Sequence, residues 1–130
     1  MTNDFHPDFA AAIVELFTDD ITITAESPYY VTLYDDAGNE LDGSLANGRV
    51  EVGQLDWTRT NTSFENAAEI NFGEATADIT VQEFAIKADD LADGDTTVYF
   101  KTAITDAPQD FADGTRVFYD AGELDADILD

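Results

Sequence analysis

The pattern of apolar and polar positions divides the chain into one helical segment followed by a series of strands. The first segment carries an apolar stripe at helical spacing, formed by Phe5, Phe9, Ile13 and Phe17. After Asp20 the period shortens to two residues, which is typical of half-buried strands. We therefore predict a single domain over residues 1–130, with an N-terminal helix over residues 1–19 and a β domain over residues 20–130.

The β part of the chain contains about eight short strand candidates, separated by turns that carry Gly, Asp or Asn. The candidates are residues 21–24, 29–34, 49–52, 68–72, 79–86, 97–104, 116–119 and 124–128. No helical pattern lies between them, which excludes the β-α-β units of a parallel sheet. The pattern predicts a mainly β fold: an antiparallel β-sandwich or jelly-roll-like domain with one N-terminal α-helix.

Charge is the strongest compositional signal. The chain has 29 acidic and five basic residues, a formal net charge of −24. A small soluble domain commonly has a net charge of about 2–8 in magnitude. A more strongly charged surface repels itself in dilute buffer, and molar salt shortens the screening length to about 3 Å. Since the acids are dispersed along the chain, the composition favours adaptation to high salt, as in salt-in halophilic archaea. A local acidic function, such as DNA mimicry or binding of a basic partner, is the alternative.

The remaining composition argues against most site chemistry. His6 is the only histidine and cysteine is absent, so neither a Cys–His pair nor a histidine-rich zinc centre is available. The glycines match no phosphate-binding loop, and five cations are too few for a nucleic-acid interface. No apolar run reaches the roughly 18–20 residues that a bilayer requires. We expect no enzyme activity, no cofactor, no nucleic-acid partner and no membrane partner.

Two acidic loops are the weak candidates for a structural divalent cation, because calcium needs only oxygen ligands. The candidate ligands are Asp35, Asp36 and Asn39 in the first loop and Asp89, Asp93 and Asp95 in the second. An EF-hand that began at Asp35 would place Ala37 at its third position and Glu40 at its sixth, so that pattern fails. The first loop is predicted to be a hairpin tip, because Ala-Gly-Asn tolerates a tight turn.

Two further features are open between a local and an intermolecular role. The rare cations Arg49, Arg59 and Arg116 could pair acids within one chain or across a subunit contact. The Phe5, Phe9, Ile13 and Phe17 stripe could likewise pack on its own domain or on a neighbour. We take the stripe as the candidate oligomer or shell contact.

A series of motifs covers roughly residues 10–128. In order they are Tyr29-Tyr-Val-Thr-Leu-Tyr34, Ala46-Asn-Gly-Arg49, Trp57, Phe64-Glu-Asn66, Ile70-Asn-Phe-Gly-Glu-Ala-Thr76, Phe84-Ala-Ile86, Val98-Tyr-Phe100, Asp113-Gly-Thr115 and Ala121-Gly-Glu-Leu124. This series resembles a family of small β-sandwich virion proteins of tailed viruses and prophages, which serve as head-decoration, cement or tail-fibre proteins. The resemblance implies a non-enzymatic, oligomeric virion component without a cofactor.

Taken with the charge, the resemblance leads to one functional expectation and two alternatives. We expect a structural virion protein of a halophilic archaeal tailed virus that decorates, cements or forms turrets on the capsid. Its partners would be copies of itself, preferably in a trimer, and the major capsid protein or other virion proteins. The first alternative is a tail, baseplate or fibre component for host attachment. The second is an acidic cytosolic inhibitor or DNA mimic.

Overall fold

The computed structural model describes residues 28–60 and 62–127 and shows a mainly β protein with antiparallel pairing throughout. The strands are β1 (Tyr29–Tyr34), β2 (Arg49–Val52), β3 (Trp57–Thr60), β4 (Ser63–Asn66), β5 (Ile70–Glu74), β6 (Ile79–Val81), β7 (Glu83–Lys87), β8 (Val98–Ala103), β9 (Gln109–Phe111), β10 (Arg116–Tyr119) and β11 (Asp125–Asp127). Short 3-10 helices span Asp42–Ser44 and Gln54–Asp56. The prediction of a mainly β, antiparallel fold is thus confirmed. The predicted helix over residues 1–19, with its Phe5, Phe9, Ile13 and Phe17 stripe, and the predicted strand 21–24 lie outside the described residues.

The strands of the described ranges form four sheets. The largest has the order β2-β1-β7-β8, and a three-stranded sheet has the order β11-β4-β3. Two strand pairs, β10-β5 and β6-β9, complete the set. Aromatic contacts join the two larger sheets, because the Phe64 ring lies 5.4 Å from that of Trp57 and 5.3 Å from that of Phe100, both edge-on.

One face of the four-stranded sheet lines the main core, to which β5, β6 and β10 also contribute. Val50, Val31, Ile86 and Phe100 stand in register across its four strands, and Val31, Leu33 and Phe84 are fully buried. Since neighbouring residues of a strand point to opposite faces, the intervening positions of β1 and β7 lie on the other face. That second face is also covered: Thr32, Tyr34, Ala85 and Lys87 are each fully buried.

The strand predictions were accurate for three strands and wrong where the chain changes sheets. Strands 29–34, 49–52 and 116–119 are confirmed with their bounds. The predicted strand 79–86 is wrong, because it is two strands, β6 and β7, that belong to different sheets. Between them, the Gln82 amide donates to Tyr34 and its carbonyl accepts from Ile104, which redirects the chain. Strands β3, β4 and β9 were not predicted.

The buried amide of Asn66 connects three segments at the end of β4. Its Nδ2 donates to the carbonyls of Ala68, Tyr119 and Asp120, and its Oδ1 accepts from the Leu124 amide. These bonds satisfy a polar side chain that is 1% exposed. They fix the turn between β10 and β11 against β4.

Candidate functional site

The second face of the four-stranded sheet gathers the chain's scarce cations. Arg49, Thr32, Ala85 and Lys101 stand in register across β2, β1, β7 and β8. Lys87 lies two residues beyond Ala85 on the same face, opposite Tyr30. Three of the five cations in the sequence are therefore on one face of one sheet.

Lys87 is the centre of this face. Its side chain is 0% exposed, and its Nζ lies 2.8 Å from Asp93 Oδ1 and 3.2 Å from Glu40 Oε1. Removing an ammonium group from water costs several kcal/mol unless nearby partners compensate for the lost hydration. Two carboxylates from separate loops supply that compensation, so the burial of Lys87 depends on both loops.

Glu40 connects Lys87 to Arg49. Arg49 donates from Nε to Oε2 at 2.8 Å and from Nη2 to Oε1 at 3.0 Å, a two-point contact, and Thr32 Oγ1 donates to Oε2 at 2.7 Å. Burial alone would raise the pKa of Glu40, but the hydrogen bonds from Arg49, Thr32 and Lys87 outweigh it and lower the pKa. Glu40 is therefore held as a carboxylate.

Asp93 joins the network from the opposite side. Its Oδ1 accepts a hydrogen bond from the Tyr34 hydroxyl at 2.7 Å and contacts Lys87. Burial would raise the pKa of Asp93, yet Lys87 and Tyr34 bring it below its usual value. Burial and the bond to Asp93 raise the pKa of Tyr34, so the phenol keeps its proton and remains a donor. Lys101 Nζ lies 3.8 Å from the centre of the Tyr34 ring.

The first acidic loop is a hairpin that delivers Glu40. Asp35 accepts hydrogen bonds from the Ala37 and Asn39 amides, and Gly38 takes a positive φ of 86°. Tyr34 and Glu40 then form an isolated antiparallel bridge, which points Glu40 at the network. The predicted hairpin tip is confirmed, with Asp36 through Asn39 exposed.

The second acidic loop connects β7 to β8 and covers the same face. It closes through the bond from the Ala88 amide to the Thr97 carbonyl and through Thr96, whose Oγ1 donates to Asp89. Between these closing bonds, Asp93 of the loop contacts Lys87, and Asp90 Oδ1 lies 3.5 Å from Arg49 Nη1. Both acidic loops of the sequence therefore converge on protein cations.

We name the assembly of Glu40, Arg49, Lys87, Asp93, Thr32 and Tyr34 the ion-pair network. Asp42 and Asp90 border the network through Arg49. Asp42 Oδ2 lies 3.1 Å from Arg49 Nη2, and Asp90 Oδ1 lies 3.5 Å from Arg49 Nη1. Gly48 supports this position of Arg49, because a Cβ at residue 48 would stand 2.3 Å from the Asp42 carbonyl oxygen.

The six candidate metal ligands are not brought together. Asp93 is in the ion-pair network, Asp35 and Asn39 bind each other within the hairpin, and Asp89 binds Thr96. Asp36 and Asp95 are exposed in separate loops. Across the part of the chain that the structure describes, no group of three or more Asp, Glu or His side chains is arranged to hold a metal ion. A cation in either loop stays a prediction.

The cations singled out in the sequence have different environments. Arg49 and Arg116 pair locally, Arg49 within the ion-pair network and Arg116 with Glu69. Arg116 also stacks on Phe118, with 4.1 Å between the guanidinium carbon and the ring centre. Arg59 is exposed and has no acidic partner within 4 Å among residues 28–60 and 62–127.

Lys87 and Glu40, the most buried pair, were missed as site residues. The available signal was a lysine at an alternating position of a β-strand in a chain with only two lysines. Chemically, the groups of the network saturate one another, which favours a structural clamp over acid–base catalysis.

Within the described ranges no helix has the length and hydropathy that a bilayer crossing requires.

Comparison with known proteins adds no family. No protein-family model matches the chain, and no curated protein is significantly similar to it in sequence.

Proposed function

We propose that this chain is a non-enzymatic structural protein of the virion of a halophilic archaeal tailed virus, where it decorates, cements or forms turrets on the capsid. The proposal depends first on how the structure distributes charge. Most turns carry an exposed carboxylate, as at Asp36, Asp78, Asp106, Asp113 and Asp120. An acidic exterior over a compact core suits a particle component that faces concentrated salt.

The inward placement of cations supports the same proposal. Lys87 and Arg49 hold two loops to one sheet, and Lys101 packs on the Tyr34 ring of β1, so these cations do not neutralise the exterior. Since a buried pair is screened by salt much less than an exposed one, this arrangement gives cohesion that brine does not remove. The carboxylates on the turns stay available for water and counterions.

We also propose that the sheets form a β-sandwich, jelly-roll-like in plan. The position of the resemblance motifs fits this plan. The first motif is β1, and Phe84-Ala-Ile86 and Val98-Tyr-Phe100 lie within its neighbours β7 and β8. Asp113-Gly-Thr115 and Ala121-Gly-Glu-Leu124 form the turns before β10 and β11. The motifs thus occupy core and turn positions, which are the ones that determine a fold.

Quantitative composition of purified virus particles tests the proposal. We expect hundreds of copies per particle, located on the capsid, because a decorating protein follows the symmetry of the shell. Tens of copies or fewer would contradict the capsid role and point to the tail, baseplate or fibre alternative. Absence from washed particles would contradict both virion roles and leave the acidic inhibitor or DNA mimic.

Deleting residues 1–18 is expected to leave the β domain folded and to abolish assembly into a trimer. The reason is that the Phe5, Phe9, Ile13 and Phe17 stripe is the proposed subunit or shell contact, whereas the main core of the described residues is formed by side chains between Val31 and Leu124. Light scattering in molar salt gives the oligomeric state, and circular dichroism gives the fold. A quadruple serine substitution of the stripe serves as a full-length control. A truncated protein that still trimerises would refute this contact.

A further inference from the structure

A groove lies between the three-stranded sheet and the end of β8, and none of its lining residues belongs to the ion-pair network. Its volume is about 420 Å³, within the range of about 300–1,000 Å³ of small-molecule sites. Its floor is the face of β3, β4 and β11 opposite the one on which Trp57 and Phe64 pack. Thr102, Ala103 and Thr105 form the wall.

The floor presents six polar side chains in two rows. Asp125, Glu65 and Thr58 stand in register across β11, β4 and β3. The second row, two residues along each strand, is Asp127, Ser63 and Thr60. Cross-strand neighbours on one face are about 5 Å apart and successive rows about 7 Å. This spacing spreads the acceptors over an area of about one to two pyranose rings.

Hydroxyl groups hold the carboxylates of this floor in place. Thr105 Oγ1 donates to Asp125 Oδ1 at 2.9 Å, and Ser63 Oγ donates to Asp127 Oδ2 at 3.3 Å. Asp127 also accepts a hydrogen bond from Thr62 Oγ1 at 2.8 Å. Because a carboxylate can accept about four hydrogen bonds, Asp125 retains capacity toward the groove. Fixed acceptors reduce the ordering cost of binding a ligand.

We propose that this groove binds a neutral saccharide. Carboxylates only accept hydrogen bonds whereas Ser and Thr hydroxyls donate and accept, so the lining is complementary to a ligand rich in hydroxyl donors. Three carboxylates, Glu65, Asp125 and Asp127, disfavour uronic, sulfated or phosphorylated ligands. They are spread over two rows and do not converge on one point, as a divalent cation would require.

Saturation-transfer NMR on the full chain in molar potassium chloride tests the site, with methyl glycosides of glucose, mannose and galactose as probes. At least one probe is expected to receive saturation and to shift amide resonances of β3, β4 and β11. Replacing the two facing carboxylates, Glu65→Gln with Asp125→Asn, preserves shape and removes charge-assisted bonds. It is expected to weaken binding about tenfold.

The matched control is Glu74→Gln with Asp110→Asn, which removes the same two charges from exposed positions on other sheets. It is expected to bind like the unchanged protein. No transfer to any of the three glycosides would overturn the proposal, as would equal losses in both variants. Shifts of the same amides by calcium chloride or a lysine-rich peptide, with none by the glycosides, would also overturn it. The saccharide site is tested on the isolated protein, whereas the virion role is tested on purified particles. A negative result for one proposal therefore does not decide the other.

Discussion

Lys87→Met is expected to lower the free energy of unfolding by about 3 kcal/mol. Removing one partner of a buried ion pair typically costs about 3–5 kcal/mol, because the remaining charge stays buried without compensation. The lower end applies here for two reasons. Arg49 remains bound to Glu40, and the Asp93 side chain is 47% exposed and can reach water. Urea denaturation in molar salt gives the value, since urea is uncharged and leaves the screening unchanged.

Lys101→Met is the matched control for this prediction. Lys101 faces the same side of the sheet but contacts the Tyr34 ring instead of a buried carboxylate. An exposed or partly exposed cation–π contact contributes about 0.5–1 kcal/mol, so this variant should lose no more than that. If Lys87→Met costs no more than Lys101→Met, the ion-pair network does not hold the two acidic loops.

The network explains why the sequence revealed the fold better than the site. Strands such as residues 116–119 carry an alternation that one buried face imposes, and their bounds follow from it. In β1 both faces are buried, so Thr32 and Tyr34 look like solvent-facing positions although both are fully buried. A single-sequence pattern contains no signal for a loop that returns to cover a polar face.

Glu40 and Asp93, which lie in loops, also could not be identified as site residues from the sequence pattern. In a chain with 29 acidic residues, no spacing rule distinguishes these two from their neighbours. Their partners, Arg49 and Lys87, are nine and 47 residues away from Glu40, and only the register of β2, β1 and β7 brings them together. Strand β3 was missed for a local reason, because three of its four residues are exposed and it lacks alternation.

Dilution of salt is expected to unfold the protein cooperatively below about 0.5 M. A net charge of −24 on a chain of 130 residues repels itself, and folding brings the charges closer together. At 0.1 M the screening length is about 10 Å, so carboxylates on neighbouring turns interact, whereas at 1 M it is about 3 Å. The buried Lys87–Glu40 pair contributes at every salt concentration, but alone it does not offset the repulsion between the exposed carboxylates.

A variant with fewer exposed charges separates this repulsion from other effects of salt. Asp36, Asp95 and Asp106 are exposed in three different turns, and Asn is compatible with the positive φ of 70° at residue 106. The triple Asn variant is expected to unfold at a lower salt concentration than the unchanged chain. An unchanged midpoint would assign the salt dependence to hydrophobic burial instead of charge repulsion.

An equilibrium unfolding curve tests directly whether the acidic exterior is adapted to high salt. Ellipticity would be followed while potassium chloride is lowered from about 3 M to about 0.05 M. We expect a folded protein above about 1 M and a single cooperative transition near about 0.5 M, reversed when salt is restored. A protein that keeps its full ellipticity and cooperative melting in dilute buffer would contradict this expectation.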